Sequence, residues 1–421
     1  MKRALAEAAG RFDIPARVVA AAEGALDDVA DAWLRREAQA LAVSAKVTAA
    51  FVRAGVNESH LAGSTGYAYH DHGRETYEAV LADVMDARAS LARVQLVSGT
   101  HAIVATLDAL LPRGGRLCSL TGRPYDTLRM AIVDHPSGLV QAGGIDYLEA
   151  AWTSGAEPRD EDVHDALRRA PDVVFVQRSR GYAARPSLSV RQIGRLVESV
   201  REHAPGAHVV VDNCYGEFVE LEEPTAVGAD VIVGSLIKNP GGGIAATGAY
   251  VAGAHDIVAR VADRVFAPGL GQAVGPTLDT MRWTFAGLHR APRAVAESLK
   301  TLDFAAALFA RLGFAVDPPA GAPRTDIIQA IRLGDAARLT AFARGLQKLL
   351  PVNSRATPQA GPVPGYADPV IMAGGSFISG ATSELSCDAP LREPFEVYLQ
   401  GGLDVAHGML AAMSAAAGVM A

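Results

Sequence analysis

Short runs that are apolar at every position, separated by longer helical stretches, constrain this chain more than any other feature. Val173–Val176 and Val209–Val211 are the clearest, and neither alternates apolar with polar residues. A strand of that kind is buried on both faces, as in a parallel sheet covered by helices on each side. The strand candidates are Arg116–Ser119, Val173–Gln177, His208–Asp212, Val231–Leu236 and Ala249–Ala252. Helical stretches such as Thr100–Leu111 and Val190–His203 lie between them. That alternation predicts an α/β domain with a mostly parallel sheet.

The flanks have a different texture. Residues 1–60 carry Ala, Leu, Val and charges at helical spacing, which predicts an N-terminal arm of two or three helices. A polar loop, Gly63–Arg74, opens the large α/β domain, expected over 61–304. Beyond it, Pro/Gly-rich pieces at Asp317–Pro323 and Pro358–Pro369 bracket a strand at Ile327–Arg332 and a helix at Ala336–Leu350. They predict a smaller α+β domain over 305–421. Its apolar tail, Gly408–Ala421, reads as a last helix packed on that domain or on a partner.

Composition narrows the function classes. A net charge of −7 gives no basic footprint for nucleic acid. Cys118, Cys214 and Cys387 form neither a disulfide framework nor a zinc spacing, so no metal is expected and a reducing compartment is the simpler setting. Met1–Glu23 has no unbroken apolar stretch, and no run approaches the roughly eighteen apolar residues of a membrane span. A soluble, cytoplasmic protein is expected.

The chemistry starts from the lysines, of which the chain has five: Lys2, Lys46, Lys238, Lys300 and Lys348. Lys238 alone ends an apolar strand, in Gly234-Ser-Leu-Ile-Lys-Asn-Pro-Gly-Gly-Gly243. A lysine there is costly to desolvate unless paired or neutralised. It is either a salt-bridged or phosphate-binding residue, or one that forms an imine with an aldehyde and so becomes a covalent catalyst. One strand earlier, His208-Val-Val-Val-Asp212 ends in an acid. Asp212 either caps the next turn or faces the site, where it would pair with a protonated pyridine nitrogen.

Ser98-Gly-Thr-His-Ala102 opens a helical run, and free N–H groups at a helix start hold anions. Ser98, Gly99 and Thr100 are either an ordinary cap or a phosphate site that Ser235 would join. Tyr125, in Gly122-Arg-Pro-Tyr-Asp126, is a core residue or a ring that stacks on the pyridine. The glycines of Asn239-Pro-Gly-Gly-Gly243 follow the lysine and lack the Lys-Ser/Thr ending of a nucleotide phosphate loop.

Together these residues resemble a known family. Val211-Asp-Asn-Cys-Tyr215, Val227-Gly-Ala-Asp230 and Gly234-Ser-Leu-Ile-Lys238 are similar to the cystathionine and methionine lyases of pyridoxal-phosphate fold type I. More closely, the chain resembles the aluminium-resistance family of methionine γ-lyase-like proteins. Gly66-Tyr-Ala-Tyr69, Ser98-Gly-Thr-His-Ala102, Gln177-Arg-Ser-Arg-Gly-Tyr182, Arg324-Thr-Asp-Ile-Ile-Gln-Ala330 and Tyr398-Leu-Gln-Gly-Gly402 carry that likeness from about residue 60 to 407. The resemblance implies pyridoxal 5′-phosphate on Lys238, with Asp212, Tyr215, Tyr125, Ser98, Gly99, Thr100 and Ser235 around it. It also implies a homodimer or homotetramer whose active sites are shared, with Tyr69 reaching the neighbour's cofactor phosphate.

Two departures stand out. The arginine that follows that tyrosine in the lyases falls on Asp71 here, so Arg74 is the candidate for its charge. Their substrate-carboxylate arginine falls on Tyr398. Arg178, Arg180 and Arg324 are the replacements on offer, each open equally to an ordinary salt bridge. The implied reaction is β- or γ-elimination of a thiol, halide or similar group from an amino acid through a Lys238 imine. The released amine, its pKa lowered by burial and by the cofactor, would act as base, and Tyr125 or Tyr69 would assist departure. An aminotransferase or racemase would use the same residues, and a non-catalytic cofactor-binding protein is the reading from another class.

Overall fold

The runs that are apolar at every position form the middle of a seven-stranded sheet. In the computed structural model, which describes residues 1–152, 155–363 and 366–421, the first strands are β1 (Ala89–Arg93), β2 (Arg116–Ser119) and β3 (Asp146–Glu149). They are followed by β4 (Val173–Gln177), β5 (His208–Asp212), β6 (Val231–Ser235) and β7 (Ala249–Gly253). The order is β1-β7-β6-β5-β4-β2-β3. Strands β6, β5, β4, β2 and β3 run parallel, and β7 runs antiparallel to both its neighbours. The expected mostly parallel α/β sheet is what forms.

Burial explains the sequence pattern. Every residue of β4, β6 and β7 is buried, whereas β3, at the sheet edge, is half open. Ile103 and Leu107 of the helix Gly99–Leu110, with Val258 and Val261 of the helix His255–Val265, cover Phe175, Val210, Val231, Val233 and Val251. Each such side chain contributes about 1.5–3 kcal/mol by leaving water. Parallel strands with right-handed crossovers bring their C-terminal ends to one edge, where open α/β sheets place ligands.

A second sheet is antiparallel throughout. It comprises β8 (Ala315–Asp317), β9 (Ile328–Arg332), β10 (Ala360–Gly361), β11 (Val370–Gly374), β12 (Ser386–Pro390) and β13 (Glu396–Gln400), in the order β10-β11-β12-β13-β9-β8. The apolar tail forms the helix Val405–Met420, which packs on the helix Ala336–Gln347. Their backbones meet at Gly345, where Ser414 Oγ donates to the Gly345 carbonyl at 2.6 Å. Of the two places open to the tail, the chain's own small unit takes it.

The chain divides into one unit of Met1–Ala42 with Ala291–Ala421 and another of Val43–Arg290. These boundaries fall inside two long helices, Ala16–Arg53 and Met281–Arg311, and not near residues 60 and 304. A continuous helix shows no composition break, so the change in packing leaves no mark in the residue pattern. The first part of Ala16–Arg53 belongs with the second sheet's unit through Arg36, whose Nε meets Asp303 at 3.1 Å, and Trp33, which donates to the Lys300 carbonyl.

Candidate active site

The C-terminal ends of β4, β5 and β6 carry Gln177, Asp212 and Ser235, with Gln177 and Asp212 directly in register. After β6 the chain turns tightly. Gly241 N donates to the Lys238 carbonyl at 3.0 Å, and Leu236 N to that of Gly248 at 2.9 Å. The turn presents Lys238 with its Nζ 3.9 Å from the centre of the Tyr215 ring. From outside, the helix Met281–Arg311 presses on this turn so closely that a Cβ at Gly287 would overlap the Gly241 carbonyl.

Asp212 is buried, and its Oδ1 accepts from Cys214 N at 3.1 Å. Burial raises its carboxyl pKa, with Lys238, Cys214 and Arg185 pulling the other way. For Lys238, burial alone would lower the pKa. The acidic groups around it, Cys214, Tyr215, Tyr125 and Asp212, outweigh that and hold it above the ordinary lysine range. In the chain by itself the shift at Lys238 thus runs opposite to the lowering that burial alone implies.

The start of the helix Gly99–Leu110 lies against these residues. A Cβ at Gly99 would stand 3.3 Å from Cys214 Sγ and 3.6 Å from Ser235 Cβ. Ser98 Oγ caps the helix by accepting from His101 N at 3.1 Å. That leaves the N–H groups of Gly99 and Thr100 directed outward beside Ser235. Thr100 Oγ1 lies 3.1 Å from the Tyr125 hydroxyl, and Tyr125 N donates to Gln177 Oε1 at 3.1 Å. Burial and the charge of Asp212 push the Tyr125 phenol well above its ordinary pKa, so it stays protonated. Lys238, Asp212, Tyr215, Tyr125, Gly99, Thr100 and Ser235 thus form one cluster.

The other candidates have other surroundings. Tyr69 is 56% exposed, its ring 5.8 Å from that of Tyr67. Arg74 is buried and donates to the carbonyls of Ala68, Gly275, Gln272 and Ala273, so its guanidinium ties two loops together. Both of its terminal nitrogens are taken up by these main-chain oxygens. Arg178 is fully buried and meets Asn213 Oδ1 at 2.7 Å, Glu220 at 2.8 Å and Glu223 at 3.4 Å. It anchors the loop after β5 and has no face toward a substrate. Arg324, in the other unit, is buried between Asp303 and Gln329, both at 2.6 Å. Arg180 is buried with Nε donating to the Ala183 carbonyl, and the Tyr398 hydroxyl donates to Glu396 at 3.2 Å.

Sequence reasoning passed over Gln177, Arg185 and Glu217. Arg185 donates to the Gln177 and Ser179 carbonyls, stacks over Trp152 at 4.6 Å and acts on Asp212. The third arginine in Arg178–Arg185 was the signal for it. A cavity of about 970 Å³ at the opposite end of the helix Gly99–Leu110, lined by Asp108, Leu111, Arg260 and Phe266, contains none of the clustered residues.

The chain matches the methionine gamma-lyase family over residues 18–420. The chain belongs to the methionine gamma-lyase family. It is 41% identical to the protein YnbB of Bacillus subtilis (strain 168) over 368 residues, 87% of each chain. It superposes on a carbon-sulfur lyase involved in aluminum resistance from Clostridium novyi with a TM-score of 0.92 and 36% identity, covering 97% of both chains. A cystathionine gamma synthase from Xanthomonas oryzae shares the fold, with a TM-score of 0.61 at 18% identity over 89% of this chain and 97% of that one.

As a member of the methionine gamma-lyase family the chain has the fold type I architecture and is a pyridoxal 5′-phosphate-dependent lyase. The residues present fit that group. An amine against an aromatic face, a buried carboxylate at the end of a central strand, and a helix start kept open by Gly99 are three attachments that suit it. Among the described residues no helix is long and apolar enough to cross a membrane.

Proposed function

We propose that this chain is a carbon–sulfur lyase that removes a thiol, or an equivalent leaving group such as a halide, from Cβ or Cγ of a small amino acid. The observation that carries the reading is the grouping of Lys238, Asp212 and the Gly99–Thr100 helix start around one point, and the likeness to the carbon-sulfur lyase of Clostridium novyi supports it. Bound there, pyridoxal phosphate supplies an electron sink for charge released at Cα.

The chain's own residues do the rest. Lys238 Nζ is the point of covalent attachment and, once released, the base that takes the Cα proton. Asp212, fixed by Cys214 N, keeps a proton on the ring nitrogen. The N–H groups of Gly99 and Thr100, with Ser235, hold the phosphate, and the Tyr215 ring lies beside the reacting amine. Tyr125, neutral and hydrogen-bonded to Thr100, donates toward the departing group. Arg178 and Arg324 bond internal carboxylates, and Arg180, which follows β4 in the unit that carries Lys238, is the carboxylate-binding candidate. The exposed Tyr69 fits a role in a neighbouring copy, which makes a homodimer or homotetramer the functional form.

The test is product analysis on the holoenzyme with cystathionine, methionine, cysteine and β-chloroalanine. The reading expects ammonia, a keto acid and the free leaving group from at least one of them. Turnover only with a keto-acid acceptor would replace it with transamination. The visible band of the bound cofactor, lost in Lys238→Ala, checks the attachment point separately.

A further inference from the structure

The loop after β5 ends in a carboxyl that the proposed chemistry does not use. Glu217 is fully buried. From β7 the Tyr250 hydroxyl donates to Glu217 Oε1 at 3.0 Å. From β6 comes Gly234, in register with Tyr250, where a Cβ would stand 2.6 Å from both Glu217 Oε1 and the Tyr250 ring. The sheet therefore keeps a glycine at the one place that admits this carboxyl. Lys238, Cys214 and Glu223 are the other titratable groups near it.

Two buried acceptors here have no donor among the described residues: Glu217 Oε2 and Asn239 Oδ1. They belong to residues already joined, because Asn239 Nδ2 donates to the Glu217 main-chain carbonyl at 2.9 Å. An ionised Glu217 would leave both oxygens bare and would bury a charge, which is costly without a cation bonded to it. A single proton on Oε2, shared with Asn239 Oδ1, would satisfy both.

We propose that Glu217 is a positioning residue, a neutral carboxylic acid whose O–H is accepted by Asn239 Oδ1, bracing the turn that carries Lys238. The bond fixes Asn239, the residue next to Lys238, to the loop after β5. It also leaves Asp212 as the carboxylate whose charge Lys238 feels. Burial pushes the Glu217 carboxyl up to about 8, in agreement with that state.

The inference rests on Lys238 as the cofactor lysine, so its first test reads Glu217 without reference to the cofactor. In an infrared difference spectrum of wild type against Glu217→Gln at mildly acidic pH, the wild type should show a protonated-carboxyl carbonyl band that the variant lacks. The band should persist in Lys238→Ala and shift in Asn239→Leu, which removes its acceptor. No such band, or a band indifferent to Asn239→Leu, overturns the assignment. In the holoenzyme, Glu217→Ala should move the pH midpoint of the cofactor's visible band and lower kcat about tenfold with KM little changed. Glu217→Gln, whose amide can still donate to Asn239, should restore the midpoint. A midpoint unmoved by Glu217→Ala overturns the positioning role.

Discussion

The amino group of Lys238 lies over the face of Tyr215, 3.9 Å from the ring centre. Tyr215 holds a left-handed backbone, with φ of 72°, which an aromatic residue adopts only when its surroundings enforce it. The ring is thus placed by the loop and orients the lysine. Replacing it by Leu removes a cation–π contact of about 0.5–2 kcal/mol, so the free ammonium should become more acidic by roughly 0.4–1.5 units. The pH dependence of amine labelling in cofactor-free protein measures this. An unchanged midpoint would show that the ring does no electrostatic work.

Asp212→Asn removes the buried carboxylate while keeping its shape. Two effects should follow together. The free Lys238 ammonium should lose basicity, because Asp212 is among the groups holding it up. Elimination should slow by about 10²–10⁴-fold, as for loss of an acid–base group. Cofactor still bound at Lys238 with near-normal turnover would deny Asp212 its role.

At Gly99 the relevant quantity is space. A methyl there would reach 3.3 Å from Cys214 Sγ, tighter than ordinary contact, on the side where Ser235 also lies. Gly99→Ala should weaken cofactor binding about tenfold, a cost of ~1.4 kcal/mol, with little loss of thermal stability since alanine favours the helix. Equilibrium titration of the apoprotein with pyridoxal phosphate, beside a melting curve, separates the two.

Arg178→Met tests a structural assignment. Removing the guanidinium strands Glu223, which is buried and bonded to Asn213 Nδ2 at 2.8 Å and Phe218 N at 2.9 Å. Breaking a buried pair in this way costs about 3–5 kcal/mol. Chemical denaturation should show that loss, while KM for substrate in the folded fraction stays near the wild-type value. A large rise in KM with intact stability would return Arg178 to the substrate.

Glu217→Gln carries a pH signature in stability. A carboxyl raised to about 8 in the folded chain stays protonated while its unfolded counterpart, with an ordinary value near 4.3, ionises. Between those two values the unfolded state binds fewer protons, so this group's contribution to stability falls as pH rises, then levels off above the upper one. The glutamine variant lacks that decline. Its stability relative to wild type should therefore rise by a few kcal/mol from pH ~4.5 to ~8. A difference that does not vary with pH would mean Glu217 ionises normally.

Much of this architecture was legible beforehand, for a physical reason. Strand β4 is apolar at all but its last position and β5 through Val209–Val211, because both faces of these strands are covered. Edge strand β3 (Asp-Tyr-Leu-Glu) and β1 (Ala-Ser-Leu-Ala-Arg) mix polar with apolar residues and were missed, as was the reversed direction of β7. Lys238 and Asp212 could be read because a charge ending an apolar run is conspicuous. Depth could not be read: Glu217 sits in a polar-looking stretch and is fully buried. Nor could partners, since the carboxylates that occupy Arg178 and Arg324 lie between 21 and 45 residues away.

The close approach of Gly287 to Gly241 has a bearing on time. With helix backbone on one side and the sheet on the other, the turn at Lys238 has no room to swing as a loop. The amine can change its position only by rotating its own methylene chain, a local movement that needs none of the microsecond or slower displacement of loops and domains. Delivering the lysine therefore asks nothing of the surrounding fold.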